Sequence, residues 1–226
     1  KRCLADLLEA LSKIEEISWI RLMYVYPSHF PEDVLDVMAN NPKVLKYIDV
    51  PLQHISDTVL KSMRRGITKR RTLEVLNLMR ERVPGITLRT TMITGYPAEG
   101  KVEFNELLSF IEEFKFDRLG VFTYSPEENT TGFELGDPVS QKEKNERKRR
   151  IMELQEQISH ANNEKFIGST MEVLIEGKEG DYYIGRSYRD APEVDGEILV
   201  SSEGENLIPG KLYSVTIDDC NEHDLF

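Results

Sequence analysis

Two short polar segments hold the residues of this 226-residue chain that are best suited to binding or catalysis. The first is 51–56, where Gln53 and His54 follow a strand-like run and Ser56 comes soon after. An amide both donates and accepts hydrogen bonds, and an imidazole can also move a proton near neutral pH. The segment therefore predicts either a ligand-binding strand end or a loop in which Ser56 caps a helix and His54 is packed.

The second segment, 89–99, begins with an arginine on a strand-like run. Side chains alternate along a strand, so Arg89 and Thr91 share one face. If that face lines an interior, the guanidinium must meet an anion, because an unpaired buried charge is costly. A ligand carboxylate suits its planar fork, and a structural ion pair with Asp49 suits it equally. Gly95 would let the backbone approach a ligand closely.

Other chemistries find little support. The chain has no GxxxxGK phosphate loop and no evident Ser-His-Asp or Cys-His order. Its two cysteines, Cys3 and Cys220, are too few for a cluster or zinc site held by three or four thiolates, so we expect no metal site in this chain. With no signal peptide and no run of about 20 apolar residues, we expect a reducing, cytoplasmic location and no membrane span.

The elements that must position these segments alternate between strand and helix. Repeated β-α order predicts parallel strands joined by right-handed crossovers, as a barrel or an open sheet. Chemistry in such folds collects at the carboxyl ends of the strands. The predicted strands are 19–26, 47–50, 86–94 and 119–124, and the predicted helices are 31–40, 56–66, 68–84 and 102–114.

The pattern changes beyond residue 138. Ser140 to Lys165 is a charged helical pattern of about 40 Å, whose basic run 148–150 is interrupted by acids and predicts a solvated face. From Ser169 the period becomes two, which predicts a small all-β barrel of the OB type. Its predicted strands are 171–177, 182–188, 196–200 and 212–217.

Charge separates the same two regions. The net charge is -11, and the segment 167–226 contains four Lys or Arg against fourteen Asp or Glu, a balance of -10. The remaining residues, 1–166, hold 25 basic and 26 acidic groups and are close to neutral. An acidic surface repels nucleic acid and attracts a basic partner, although it can also serve solubility alone.

Three segments together resemble the methylthiotransferase branch of the radical S-adenosylmethionine (SAM) enzymes. They are 47–54 (YIDVPLQH), 60–66 (LKSMRRG) and 89–97 (RTTMITGYP), and the final barrel looks like the TRAM module of that branch. The resemblance implies a partial TIM-like (β/α) radical SAM barrel at 1–138, a linking helix at 139–166 and a TRAM barrel at 167–226.

The chain also departs from that family. The CxxxCxxC motif that binds a [4Fe-4S] cluster is absent, as are the domain expected to supply a second cluster and two of six β-α steps. The resemblance therefore implies a piece of a longer enzyme that uses SAM and two [4Fe-4S] clusters with ligands outside this chain. We expect the piece to be inactive alone.

The resemblance also implies a reaction. SAM would be reduced to a deoxyadenosyl radical, which abstracts hydrogen from the substrate before a methylthio group is transferred. Arg89 is expected to contact a polar group of SAM, Gln53 and Ser56 its ribose, and Gly95 and Tyr96 its adenine. The expected SAM-binding residues are Arg89, Gln53, Ser56, Thr91, Gly95 and Tyr96, and no catalytic residue is assigned.

Two substrates occur in that branch: an adenosine in tRNA and an aspartate of ribosomal protein S12. The segment 190–196 (DAPEVDG) looks like the version that modifies the protein, and a barrel of charge -10 suits basic S12 better than tRNA. A non-catalytic acidic module that binds a basic protein remains a third interpretation. The expected docking residues are Tyr188, Asp190, Glu193 and Asp195.

Overall fold

The chain forms two compact units, residues 1–155 and residues 156–226, which are described separately. The computed structural model describes residues 3–130, 132–201, 204 and 206–226. The division falls within the long helix that the charged pattern predicts. The boundaries expected from the resemblance, at 138 and 166, stay a prediction.

A four-stranded parallel sheet organises the first unit. Its strands follow sequence order across the sheet, β1-β2-β3-β4, and every neighbouring pair is parallel. This arrangement confirms the predicted α/β class, because each strand returns to the same edge through a helical connection. The strands are β1 (Ile20–Leu22), β2 (Val44–Asp49), β3 (Thr87–Thr94) and β4 (Arg118–Thr123).

In the described residues up to 163 the chain forms six helices. Apolar residues on them are buried, as Leu76 of the fourth helix and Leu107 of the fifth are with no exposed surface. Thr68 caps the fourth helix by accepting a hydrogen bond from the Arg71 amide, as predicted. The helices are α1 (Leu4–Ser12), α2 (Asp33–Asn40), α3 (Asp57–Ser62), α4 (Lys69–Arg82), α5 (Lys101–Phe114) and α6 (Gln141–Asn163).

Several local predictions differ from the structure. The first strand ends at Leu22 instead of residue 26, because Tyr24 adopts a left-handed φ of 57° that no extended strand accommodates. Helix α3 ends at Ser62, four residues before Gly66. Ser56 occupies the N-cap position of α3 as predicted, but its side chain makes no capping hydrogen bond.

Strand β3 shows the alternation that the sequence predicts. Thr90 and Met92 are fully buried on the face covered by helices, whereas Arg89, Thr91 and Ile93 are half-buried on the opposite face. The second face is the one that carries the predicted SAM contacts of this strand. Its partial exposure makes it available for binding.

The second unit contains a curled antiparallel sheet in the order β7-β6-β5-β8. The register between β5 and β6 shifts between Ile175 and Gly177, and such a bulge increases the local bend and twist of a strand. The predicted all-β class of this region is confirmed. The strands are β5 (Thr170–Glu179), β6 (Tyr182–Arg186), β7 (Ile198–Val200) and β8 (Leu212–Thr216).

A small apolar cluster forms the core of that unit. It joins alternate residues of three strands to two residues from the final segment of the chain, which explains why period-two patterning located the strands. Its members are Val173, Ile175, Tyr183, Ile198, Val200, Ile217 and Leu225. Among the described residues of the whole chain, no helix is both long and apolar enough to cross a membrane.

Candidate functional site

Beyond the end of β2 the chain pairs once more with β3, through a parallel bridge between Gln53 and Met92. The Gln53 amide donates to the Thr91 carbonyl at 2.9 Å, and its own carbonyl accepts from the Ile93 amide at 2.8 Å. The bridge holds Gln53 at a φ of 74°, an unfavourable backbone conformation for a residue with a side chain. The predicted SAM contacts Gln53 and Thr91 are therefore brought together.

The Gln53 side chain has an unusual environment. Its amide oxygen Oε1 is buried and has no hydrogen-bond partner among the described residues. An unpaired buried acceptor costs about 1–3 kcal/mol, so it is rare without a reason. A ligand hydroxyl that donates to this oxygen would remove the cost of leaving it unpaired. The loop after β2 is therefore compatible with binding the ribose of SAM.

Arg89 forms an ion pair with Asp49 across β2 and β3. The two residues are register partners, and Arg89 Nη1 lies 3.1 Å from Asp49 Oδ1. The Asp49 side chain is fully buried, whereas that of Arg89 is 15% exposed. Gly120 lies beside the guanidinium, and a Cβ there would make only ordinary van der Waals contact with Arg89 Nη2, at 3.9 Å. The structural alternative for Arg89 is thus present, and its contact with SAM stays a prediction.

His54 is buried, and its hydrogen bonds to two neighbours assign the tautomer of its ring. The Ser56 amide donates to His54 Nδ1 at 3.0 Å, so the ring proton lies on Nε2. His54 Nε2 is 3.0 Å from Glu99 Oε2, and both side chains have no exposed surface. The Nε2–H group of the ring therefore donates to a buried carboxylate. Sequence reasoning considered His54 as packed or functional, and the structure places it in this pair.

Glu99 is the central residue of a buried hydrogen-bond network that includes His54. Its Oε1 atom accepts from the Thr94 hydroxyl at 3.0 Å, the Gly95 amide at 2.8 Å and Arg147 Nη1 at 2.5 Å. Burial raises the pKa of Glu99, but hydrogen bonds from His54, Gly95 and Arg147 outweigh it, so the pKa is lowered. The carboxylate stays charged and ties helix α6 to the turn after β3.

Arg147 completes this network from α6. It also donates to the Glu99 carbonyl at 2.9 Å and pairs with Glu143 one turn earlier at 3.0 Å. Burial by itself lowers the pKa of Arg147. The hydrogen bonds to Glu99 and Glu143 raise it by more, so the pKa is raised overall and the side chain remains protonated. Sequence reasoning missed this contact, because Glu99 and Arg147 are 48 residues apart in the chain and no local pattern links them.

The turn after β3 is closely packed from behind. Gly95 has a φ of 78°, and a Cβ there would lie 2.4 Å from Lys144 Cγ. Lys144 is itself buried, donating from Nζ to the Tyr124 carbonyl at 2.7 Å and pairing with Asp137 at 2.5 Å. The close approach that Gly95 permits is thus to a side chain of the same unit.

Tyr96 and Ser56, two further predicted SAM contacts, are buried. The Tyr96 ring meets Tyr124 edge-on with centroids 5.1 Å apart, and its hydroxyl donates to the Ser62 carbonyl at 3.3 Å. Both residues are therefore packed inside the first unit. The contacts of Tyr96 with adenine and of Ser56 with ribose stay predictions.

The predicted docking residues lie on one loop of the second unit. Asp190 is buried and accepts from the Ser187 hydroxyl at 2.7 Å, while Asp195 accepts from the Ala191 amide at 2.8 Å. Tyr188 is half-buried, and Glu193 is exposed with a φ of 66°. Two carboxylates brace the loop and the third is presented to solvent, so Glu193 is the acid best placed to meet a partner.

The part of the chain that the structure describes contains no candidate metal site. No group of three or more His, Cys, Asp or Glu side chains there could hold an ion. Cys3 lies in the first unit and donates to Asp33 Oδ2 at 2.9 Å, whereas Cys220 lies in the second. These thiols do not provide the ligand set of an iron-sulfur cluster.

Two regions of this chain match known protein families. Residues 3–111 match the radical SAM superfamily, and residues 167–226 match the TRAM domain. A protein of Cytophaga hutchinsonii named ribosomal protein uS12 methylthiotransferase RimO is 53% identical over all 226 residues. Over its full length the chain is therefore similar to a methylthiotransferase, with one region of the radical SAM superfamily and one TRAM domain. A protein of the same name from Christiangramia forsetii is 49% identical over 226 residues.

The coverage of these relatives is partial. The chain spans about half of their length, 52% of the Cytophaga protein and 50% of the Christiangramia protein. Among solved structures, Escherichia coli coproporphyrinogen III oxidase (HemN), a radical SAM enzyme, is similar with a TM-score of 0.56 at 17% identity. The match covers 82% of this chain and 50% of that one, and it supports the fold alone.

Proposed function

We propose that this chain supplies the later part of the catalytic barrel and the TRAM module of a methylthiotransferase. The proposed reaction adds a methylthio group to the β-carbon of an aspartate in ribosomal protein S12. The observation that carries the proposal is the identity of 53% over the whole chain to a relative named for that activity. We assign the reaction to the whole enzyme, and part of its cofactor and substrate contacts to this chain.

SAM is the cofactor that the first unit would help to hold. When bound and reductively cleaved, it supplies the radical that removes hydrogen from the substrate. The orphaned Gln53 oxygen supports a contact with a ribose hydroxyl, and the partly exposed Arg89 guanidinium offers a positive charge to the carboxylate of SAM. The proposed SAM-binding residues remain Arg89, Gln53, Ser56, Thr91, Gly95 and Tyr96.

Iron-sulfur clusters do not fit the donor set of this chain. Its two cysteines, Cys3 and Cys220, lie in different units, and each cluster of this kind needs at least three thiolates nearby. We propose that the two [4Fe-4S] clusters of the intact enzyme are ligated outside these residues. The role of this chain is then to orient SAM and to keep water from the reacting groups.

The second unit is the proposed docking module for S12. Its balance of four basic and fourteen acidic residues favours a basic protein and disfavours tRNA. Exposed Glu193 would make the first contact, while Tyr188, Asp190 and Asp195 shape the loop that presents it. Because ribosomes are the source of this substrate, we propose the cytoplasm as the location.

A complementation experiment tests the reaction. The native reading frame that contains this chain would be expressed in a bacterium deleted for its own S12 methylthiotransferase. Mass spectrometry of the S12 aspartate peptide should show the methylthio group restored, while digested tRNA should show no new methylthioadenosine. Modified tRNA with unmodified S12 would replace the proposal with the tRNA enzyme. Neither modification would favour a non-catalytic module.

Docking is tested by reversing one exposed charge. Glu193→Lys should lower the association rate for purified S12 several-fold, because surface charges act mainly on the encounter step. Glu222→Lys changes the same charge at another exposed position of the unit and should have less effect. Equal losses in the two variants would assign the attraction to overall charge and remove Glu193 as a specific docking residue.

A further inference from the structure

One buried carboxylate connects the two segments that are proposed to bind SAM. Glu99 Oε2 lies 3.0 Å from His54 Nε2, and His54 directly follows Gln53 in the first segment. The other oxygen of the carboxylate, Oε1, accepts from the Gly95 amide at 2.8 Å and from the Thr94 hydroxyl at 3.0 Å in the second segment. The Glu99 side chain therefore sets the spacing between the loop after β2 and the turn after β3.

His54 is the link between the first segment and this carboxylate. Its ring is bound at both nitrogens, because Nδ1 accepts from the Ser56 amide at 3.0 Å while Nε2 meets Glu99. The side chains of His54 and Glu99 have no exposed surface, so water does not compete for their hydrogen bond. Ser56 is the N-cap residue of α3, and the ring therefore also joins the start of that helix to Glu99.

Gln53 occupies a conformation that its surroundings must maintain. Its φ of 74° is unfavourable for a residue with a side chain, and such strain persists only where neighbouring contacts enforce it. Hydrogen bonds to β3 hold its backbone on one side, and the anchored His54 holds the chain on the other. The Gln53 Oε1 atom is buried with no partner among the described residues, so its position decides whether a ligand hydroxyl can reach it.

We propose that His54 is a positioning residue for SAM. In this role the ring does not touch SAM; it anchors the chain beside Gln53 to Glu99 and so keeps the Gln53 oxygen at the ribose. Because Glu99 also holds Gly95, the ribose and adenine contacts keep a constant separation. A displacement of about 1 Å in a positioning group is enough to impair an enzyme strongly. The inference rests on the proposed function, since it takes Gln53 as a ribose contact.

A purely stabilising role for His54 makes different predictions from a positioning role. If the ring only stabilises the first unit, substitutions lower the unfolding free energy and leave the SAM affinity of the folded enzyme unchanged. If the ring positions Gln53, substitutions weaken SAM binding, and the loss depends on the presence of the Gln53 side chain. Binding and stability measured on the same variants therefore distinguish the two roles.

Two substitutions separate the two hydrogen bonds of the ring. His54→Gln carries an amide that can still donate to Glu99, whereas His54→Asn can accept from the Ser56 amide but is too short to reach Glu99. Equilibrium dialysis of labelled SAM with the intact, cluster-reconstituted enzyme should show about a fivefold loss of affinity for His54→Asn, as expected for one neutral hydrogen bond. His54→Gln should lose less. Wild-type affinity in His54→Asn, or equal losses in both variants, would overturn the proposal.

A double-mutant cycle tests whether His54 acts through Gln53. Gln53→Ala removes the proposed ribose contact and should weaken SAM binding about fivefold. Adding His54→Asn should then cause little further loss, because the interaction that it disturbs is already gone. Losses that multiply to about 25-fold would contradict the proposal.

The same cycle distinguishes two kinds of failure. Normal SAM binding in Gln53→Ala would remove the ribose contact from the proposed function, and the positioning role with it. A loss in Gln53→Ala together with normal binding in His54→Asn would overturn the positioning role alone and leave the ribose contact in place.

A matched control excludes general destabilisation as the cause of weaker binding. Thr72 is buried on α4, outside the proposed SAM-binding segments, and its hydroxyl donates to the Thr68 carbonyl at 3.0 Å. Thr72→Ala removes this buried hydrogen bond and should lower the thermal midpoint while SAM affinity stays at the wild-type value. If Thr72→Ala lost as much SAM affinity as His54→Asn at a similar thermal midpoint, destabilisation would explain both losses and the positioning role would be wrong.

Discussion

The two units of this protein use charge in opposite ways. In the first, the ion pairs Arg89–Asp49 and Arg147–Glu99 are buried and hydrogen-bonded. In the second, most of the excess acids lie at the surface, and Glu197 has its pKa raised by burial and by nearby Asp224, Glu179 and Glu176. Buried pairs fix the geometry of a site, whereas uncompensated surface charge selects what approaches it.

This contrast explains why sequence patterns described the units unequally. The charge of the second unit is a property of composition, so it can be counted. The buried charges of the first unit act through their partners, and those partners come from distant elements. Perturbing one charge in each setting should therefore have effects of very different size.

Removing the centre of the buried network should have the largest effect. Glu99→Ala leaves Arg147 without its buried partner and His54 without an acceptor, which should lower the free energy of unfolding by about 3–5 kcal/mol. Urea denaturation followed by circular dichroism measures this loss. Glu99→Gln keeps the size of the side chain and should lose less. A change within about 0.5 kcal/mol for the alanine variant would show that the network does not stabilise the unit.

The cofactor side of the comparison is tested at Arg89. In the intact enzyme, Arg89→Ala should weaken SAM binding by about 1.5–3 kcal/mol, the value of a hydrogen bond to a charged group. Equilibrium dialysis with labelled SAM gives the affinity. Because the change also leaves Asp49 unpaired, the double variant Arg89→Ala with Asp49→Asn is the control. Unchanged affinity in both variants would remove Arg89 from the SAM site.

The close packing of the turn after β3 against Lys144 is tested at Gly95. Gly95→Ala places a Cβ against buried Lys144 in a left-handed conformation and should cost about 2 kcal/mol or more in unfolding free energy. Gly66→Ala is a matched control, since Gly66 has a φ of 65° with no atom within 4 Å of the added Cβ. If both substitutions lowered the unfolding free energy equally, backbone strain and not contact with Lys144 would explain why position 95 requires glycine.

A change of pH should separate the units without any substitution. The pKa of Glu99 is lower in the folded state, so its stabilising contribution is present above the unfolded pKa of about 4.3 and is lost as pH falls through the folded value. The pKa of Glu197 is raised, so protonation at low pH relieves repulsion in the second unit. Hydrogen exchange from pH 7 to 3 should show protection falling first in the unit of Glu99. Earlier loss in the second unit would contradict this order.

Strand and helix positions were largely predictable from local patterns. The alternation of buried and half-buried residues along β3 and the cap at Thr68 both follow from period and residue type. The first strand was predicted too long, because nothing local announces that Tyr24 takes a left-handed φ. Helix α1 (Leu4–Ser12) was not predicted, although its leucine and alanine residues favour a helix.

The candidate site was predictable only as a set of strand ends. The sequence indicated Gln53 and Arg89, and it kept open whether Arg89 meets Asp49 or a ligand. It did not indicate that the Gln53 oxygen is orphaned, because that depends on every neighbour of one atom. The resemblance to a family connected the segments, but it did not place Glu99 at the centre of a network.

By itself, the sequence determined the class of each unit, the acidic balance of -10 in segment 167–226 and the two segments where a site could form. These follow from periodicity, composition and strand-end position, which are local or additive quantities. Tertiary structure alone decided that His54, Glu99 and Arg147 meet. Such pairings depend on distances between distant residues, and hydrogen bonds form only when the fold brings both atoms within about 3 Å.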